Sequence, residues 1–324
     1  MDTAPPSLTP SDIGYPRSWS EFLDRFPDEE ACRFYLEQLR WRDGFVCGRC
    51  GAVGEASRLT RGRLMCRTCR YQCTVTAGTI FDKTRTPLRT WFGAAWYVTN
   101  QKHGVSALGL QRVLGLGSYQ TAWTLLHRLR RAMVRPDREK LSGLVEVDET
   151  YVPMSDRDTT KPGKRKSDTD DTLVAIAIAI EIHEPKGYGR IRLQRIPAAT
   201  REYLLPFIRD NIAFESEVHT DGSSVYLSLS KQGYQHRRDP TTYSETPAHV
   251  TMPGAHRIAS LLKRWLLGTH QGAIHPLQLD AYLDEFTFRF NRRTSRSRGL
   301  LFRRLLEQAV VTPPATYRDI TMVD

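Results

Sequence analysis

The spacing of apolar and polar residues changes period twice along the chain. From Ser18 to Arg40 apolar residues recur at helical intervals. Phe22 and Phe26 lie before a break at Pro27, and Phe34, Tyr35, Leu36 and Leu39 follow it. Asp28-Glu29-Glu30 supplies an acidic first turn for the second of these helices. Residues 1–18 predict a loosely held leader. From Leu88 to Met133 the helical period returns, with Trp91, Ala94, Ala95 and Val98 on one face. Ser106 predicts the cap of a helix ending at Leu114. Gly115-Leu116-Gly117 makes a turn, and Ser118 opens a helix from Tyr119 to Met133 with Ala122, Leu126, Leu129 and Met133 as its stripe. Helix, glycine turn, helix is a helix-turn-helix pattern. His127, Arg128, Arg130 and Arg131 are expected off the stripe as a basic face, and Tyr119, Gln120 and Thr121 within reach of base edges. An ordinary helical hairpin with a solvated basic face uses the same residues.

After Arg135-Pro136-Asp137 the period drops to two. Leu144 to Tyr151 reads as a strand with Val145 and Val147 on one side and Glu146 and Asp148 on the other. Residues 153–171 carry Lys161, Lys164, Arg165 and Lys166 and predict a mobile loop. Leu173 to Ile182 alternates large and small apolar residues as a buried strand, and Arg190 to Ile196 as a half-exposed one. Thr200 opens a helix through Leu204, Leu205, Ile208 and Ile212. A fourth strand, Phe214 to Thr220, ends at Asp221. His256 and Lys263 are seven residues apart, two turns along one helical face. Leu279, Tyr282, Leu283, Phe286 and Phe290 form a core stripe, followed by Arg289, Asn291, Arg292, Arg293, Arg296 and Arg298 as a basic cluster. Leu300 to Val310 is a last amphipathic helix before a tail.

Between the two helical regions lie Cys47-Gly48-Arg49-Cys50 and Cys66-Arg67-Thr68-Cys69. Each knuckle puts two thiolates on one turn, so Cys47, Cys50, Cys66 and Cys69 read as a closed, structural zinc site. Cys73 is expected to be a bystander. Six cysteines in 324 residues make no disulfide scaffold. Lys and Arg number 47 against 36 Asp and Glu, a net charge of +11, which favours a polyanionic partner such as nucleic acid. No apolar run has the length of a membrane span, and the N-terminus lacks a signal-peptide core, so a cytoplasmic protein is expected.

Three strands, a helix, a fourth strand and later helices follow the order of the ribonuclease H-like fold. There the first and fourth strands are neighbours, which would bring Asp148 to Asp221, and a C-terminal helix supplies a third ligand where His256 falls. The chain resembles bacterial insertion-sequence transposases with an N-terminal zinc ribbon and a DDE-type catalytic domain. The resemblance rests on Gly44-Phe45-Val46-Cys47-Gly48-Arg49-Cys50-Gly51, Ala77-Gly78-Thr79-Ile80-Phe81, Thr86-Pro87-Leu88-Arg89-Thr90-Trp91, Val145-Glu146-Val147-Asp148-Glu149-Thr150-Tyr151, His219-Thr220-Asp221-Gly222, Leu262-Lys263-Arg264-Trp265-Leu266, and Tyr282 to Phe286 with Phe290-Asn291-Arg292-Arg293.

It implies that Asp148 and Asp221 are catalytic carboxylates, that His256 stands where most such enzymes have a glutamate, and that Lys263 is the basic residue two turns on. Pro153-Met154 also departs from the usual Gly pair, and Glu285 is an alternative third acid. The implied cofactors are structural Zn²⁺ and catalytic Mg²⁺ or Mn²⁺. The implied partner is double-stranded DNA, contacted by Arg128, Arg130, Arg131, Arg289, Arg292 and Arg293, with a homo-oligomer assembling on the DNA near the nucleoid. The expected architecture is an α+β multidomain chain: leader and helix 1–43, zinc ribbon 44–82, helix-turn-helix 83–136, ribonuclease H-like α/β domain with a mixed sheet 141–295, and C-terminal helix and tail 296–324. The competing expectation is a non-catalytic DNA-binding regulator derived from a transposase.

Overall fold

In the computed structural model the chain forms two units that alternate along the sequence, Met1–Met133 with Ser295–Ile320, and Val134–Thr294 with the last residues. The structure describes residues 13–135, 137–155, 171–183, 185, 187–239, 251–272 and 274–321. The expected loop with Lys161, Lys164, Arg165 and Lys166, and residues 1–12 of the expected leader, lie outside the described residues.

In the first unit, helices α1 (Trp19–Arg25) and α2 (Glu29–Arg40) are separated at Pro27 as the pattern predicts. Ser18 Oγ and Asp28 Oδ1 cap them by accepting from the amides of Glu21 (3.1 Å) and Ala31 (2.9 Å). Short antiparallel strands follow: β1 (Phe45–Val46) with β2 (Val53–Gly54), and β3 (Ala56–Arg58), β4 (Arg63–Cys66) and β5 (Gln72–Thr74) as a three-stranded sheet. Helices α3 (Leu88–Asn100), α4 (Ala107–Leu114) and α5 (Tyr119–Arg131) complete the N-terminal part. Gly115 ends α4 at φ 61°, a left-handed cap that needs no Cβ.

The C-terminal helix Arg298–Ala309 is no appendage. It sends Phe302, fully buried, into a cluster with Phe22, Phe26, Tyr35, Phe92 and Trp96. The zinc ribbon, the helical hairpin and this helix therefore share one unit, where the apolar pattern suggests three separate pieces. Residues 13–18 are also packed, unlike a loose leader. Ile13 is buried and its carbonyl accepts from Arg303 (2.6 Å), while the Tyr35 hydroxyl donates to Gly14 O (3.1 Å). The expected tail contains a helix, Tyr317–Thr321, whose Tyr317 ring meets Trp123.

The second unit is built on five strands: β6 (Leu144–Ser155), β7 (Asp171–Ile182), β8 (Tyr188–Ile196), β9 (Glu217–Asp221) and β10 (Gln235–Asp239). Their order is β10-β9-β6-β7-β8, with β6–β7 and β7–β8 antiparallel and β6–β9 and β9–β10 parallel. This is the mixed ribonuclease H-like sheet, with the first and fourth strands side by side. Helix α6 (Arg201–Asn211) covers one face, and α7 (Pro253–His270) and α8 (Leu279–Asn291) cover the other.

Strand β7 shows how sequence sorts the two faces. Ala175, Ala177 and Ala179 lie in the core with α6, whereas Ile176, Ile178 and Ile180 fill the core with α7 and α8. Small side chains let one helix approach and large ones fill the wider layer. The parity of β6 follows. Val145 and Val147 enter the α6 core, and Val152 and Met154 enter the α7/α8 core, so Glu146 and Asp148 belong to the α7 side.

Candidate active site and metal cluster

The two cysteine knuckles have matching backbones. Gly51 N donates to Cys47 O (2.9 Å) and Arg70 N to Cys66 O (3.0 Å), while Cys47 N and Cys66 N donate to Ala52 O and Tyr71 O (2.9 Å each). The residue after each second cysteine is left-handed: Gly51 at φ 69° and Arg70 at φ 62°. Glycine takes that conformation freely, and arginine under mild strain.

The result brings the sulfurs of Cys47, Cys50, Cys66 and Cys69 within 4.8 Å of one another. Backbone amides already aim at them. The Cys69 and Thr68 amides pull Cys66 down to about 6, and those of Cys50 and Arg49 lower Cys47. Against the pull of the Ala52 amide, the crowd of neighbouring sulfurs pushes Cys50 up to about 12. Four converging sulfurs, two already inclined to ionise, fit a tetrahedral thiolate-bound cation. Cys73 stays outside the group.

The other candidate site forms where β6 and β9 end their pairing. The last pair in register is Glu146↔His219, and Asp148 and Asp221 each lie two residues further on. Two parallel strands thus deliver both carboxylates to the same level on the face covered by α7. Asp148 is pushed up to about 6, chiefly by burial and further by the Asp221 charge, against the pull of the Glu149 amide. Asp221 Oδ1 accepts from Ser223 N (3.0 Å), which shapes its turn. From α7, His256 Nε2 comes to 3.9 Å from Asp148 Oδ2. Lys263 sits half-buried further along the same helix.

Two carboxylates that repel each other, plus an imidazole, are a donor set suited to a divalent cation. Among the described residues only the four cysteines close to within 4.8 Å, so these three donors are set wider. Glu285 does not join them. It is fully buried on α8 and ion-paired with Arg289 (2.7 Å).

Two family models match the chain: an ISXO2-like transposase domain over residues 140–291 and a transposase zinc-ribbon domain over residues 27–72. The chain belongs with the zinc-ribbon insertion-sequence transposases. It is also similar to an uncharacterized protein in transposable element ISH50 of Halobacterium salinarum, 27% identical over 284 residues, covering 82% of this chain and 92% of that one. Among the described residues, no helix of this transposase is long and apolar enough to cross a membrane.

The arginines expected at DNA divide into different roles. In the helix-turn-helix region, Arg131 is exposed and Arg128 half-buried. Arg130 is 1% exposed and His127 2%, with Arg130 Nη1 3.3 Å from His127 Nε2. The basic face is therefore narrower than the sequence suggests, because α5 packs on more than its four-residue stripe. Gln120, Thr121, Thr124 and Arg128 do line a cavity of about 480 Å³ together with Lys83 and Arg85.

In the C-terminal cluster, Arg289 neutralises Glu285, and Arg292 and Arg293 stack on Phe288 and Phe290 at 4.2 and 3.9 Å. Arg293 also donates to Gly189 O (3.1 Å). Asn291 pairs both backbone groups of Ile191, accepting from its amide (2.7 Å) and donating to its carbonyl (3.2 Å). Much of this motif thus fastens α8 to β8.

Four further residues, Tyr226, Glu149, His219 and Glu146, shape the site with no motif of their own to mark them. Tyr226, in the turn after Asp221, donates to Glu149 Oε2 (3.0 Å) and so ties the Asp221 loop back to β6. Burial, then Asp148 and Asp221, raise the Glu149 carboxyl. His219 Nε2 lies 2.7 Å from Asp239 Oδ2 on the neighbouring β10. Glu146 is buried beneath α7. The alternation that places Asp148 places Glu146 on the same face, and was the available signal.

Proposed function

We propose that this transposase binds the terminal repeats of its insertion sequence and catalyses metal-dependent DNA cleavage and strand transfer. The observation that supports this best is the delivery of Asp148 and Asp221 to one level by adjacent parallel strands, with His256 3.9 Å from Asp148. Asp148, Asp221 and His256 would hold divalent ions. Divalent ions held there would supply activation of water or of a DNA 3′-hydroxyl for in-line attack and stabilisation of the leaving oxygen.

The chain's own residues set the rest. Asp148 must give up the proton that burial favours before it can act as a ligand. Tyr226 and Ser223 hold the Asp221 turn in place. Lys263, two turns beyond His256, offers its ammonium to a phosphate near the scissile bond. The exposed Arg131 and the basic cavity beside α5 supply backbone contacts to DNA. The cysteine cluster holds zinc as a structural staple.

The wider spacing of the three donors favours a second reading, a DNA-binding regulator without catalysis. Cleavage of a duplex carrying the element's own ends, with Mn²⁺ or Mg²⁺ added, separates the two. Asp148→Asn should lower cleavage by roughly 10³-fold or more, as loss of one member of a catalytic unit does. A variant that still cuts at the wild-type rate removes Asp148 from the chemistry.

A further inference from the structure

We propose that Glu146 is a positioning residue whose carboxylate clasps the first turn of α7 and thereby sets His256 against Asp148. The inference rests on the reading of Asp148 and His256 as partners in one site.

Helix α7 starts Pro253-Gly254-Ala255-His256, and the residue before it, Met252, provides no side-chain cap. Its first amides need acceptors. They find one across the fold, where Glu146 Oε2 accepts from Ala255 N at 2.8 Å, with the Gly254 amide contributing. A carboxylate at a helix N-terminus is favoured by both hydrogen bonding and the helix dipole. Glu146 is 3% exposed and engaged by these amides, so it is not itself poised as a ligand.

The location gives the clasp its consequence. Glu146 lies two residues before Asp148 on the same strand face, and Ala255 lies one residue before His256. One hydrogen bond therefore joins strand to helix a single step from the pair of atoms 3.9 Å apart. Gly254 makes the approach possible. A Cβ there would sit 2.7 Å from Ile182 Cδ1 and 2.9 Å from Glu146 Oε2. The chain uses the same device once more, away from any chemistry. Behind Pro87, the Glu29 carboxylate accepts from the amides of Leu88 (2.9 Å) and Arg89 (2.8 Å) at the start of α3.

The test uses the full-length, zinc-loaded protein and two readouts. In hydrogen exchange, Glu146→Ala should speed exchange of the 253–258 segment about tenfold, the size of one helix cap, while the zinc ribbon is unchanged. Glu146→Gln, which keeps an acceptor, should stay near wild type. In Mn²⁺ binding followed by electron paramagnetic resonance, Glu146→Ala should weaken affinity about 10–100-fold, and add little once His256 is already alanine.

Gly254→Ala keeps the carboxylate but presses the helix away, and should give the same dependence on His256 if Glu146→Ala folds poorly. Unchanged exchange at 253–258 overturns the proposal. So does a loss of Mn²⁺ affinity of equal size with and without His256, which is the mark of general destabilisation. Wild-type protein that cuts no DNA yet shows the exchange change and the coupling retains the clasp and loses the catalytic reading. Metal-dependent cutting with additive variants does the reverse.

Discussion

The four thiols come from two turns between Cys47 and Cys69, while Asp148, Asp221 and His256 come from two strands and a helix spread from residue 148 to residue 256. Each knuckle is set by its own backbone: an amide-to-carbonyl turn, a left-handed residue and amides aimed at sulfur. At the carboxylate site local backbone shapes only the single residues, as the Ser223 amide does the Asp221 turn, and does not bring the three together. The site's geometry comes from the register of β6 with β9 and from the docking of α7, and its donors stand wider than the sulfurs. A cluster of crowded sulfurs on short strands depends on its cation for order. A site assembled on a sheet with two apolar cores keeps its scaffold with or without a cation.

The largest expected effect follows from that contrast. Cys47→Ser should release the zinc and disorder the ribbon, since structural zinc contributes about 10–16 kcal/mol to folding in finger peptides. Metal analysis and circular dichroism would show this, with the thermal transition of the sheet unit retained. Loss of that transition as well would mean that the two sites do not differ as described.

Next in size, His256→Ala should reduce Mn²⁺-supported cleavage by at least roughly 10–100-fold, the range that losing even a partner outside the ligand shell reaches. Mg²⁺-supported cleavage should fall less, because imidazole suits Mn²⁺ better than Mg²⁺. An unchanged Mn²⁺ to Mg²⁺ activity ratio would separate His256 from the ion.

The smallest effect is on stability against pH in the metal-free chain. Asp148 is raised from an ordinary 3.8 to about 6 in the folded state. Between those values the folded chain holds the extra proton. Its stability should therefore fall as pH rises from about 4 to about 6, and level off above. Asp148→Asn should flatten that segment of the urea-melt profile, and metal affinity should rise with pH over the same window. An unaltered slope in the variant would assign the titration to another carboxyl.

Elements with strong alternation were legible before the structure. The large–small pattern of Leu173 to Ile182 is the Ala/Ile sorting of β7, and Pro27 parts α1 from α2 as expected. Strand β10 was not legible, because Gln235-His236-Arg237-Arg238-Asp239 is polar throughout and pairs on one side only, at the sheet edge. Arg130 and Arg289 read as surface cations because a periodicity argument assigns every charge to solvent. One is buried beside His127 and the other cancels Glu285. Of the candidate site, the two aspartates and His256 could be read from element order. The alternation gives the face of Glu146 but not its partner, and gives neither for Tyr226 and Asn291, since each acts on backbone or on a carboxylate far away in the chain.

Phe302 has a consequence for the order of synthesis. The ring is buried among five aromatic side chains of the first hundred residues, yet all five strands of the second unit's sheet are translated between them and it. A chain emerging from the ribosome makes its ribbon and helical hairpin first and closes the sheet unit next. It seals the first core only when residue 302 appears. Until then Phe22, Phe26, Phe92 and Trp96 lack the ring that fills their centre. The unit that starts to form before the sheet unit does is completed only after it.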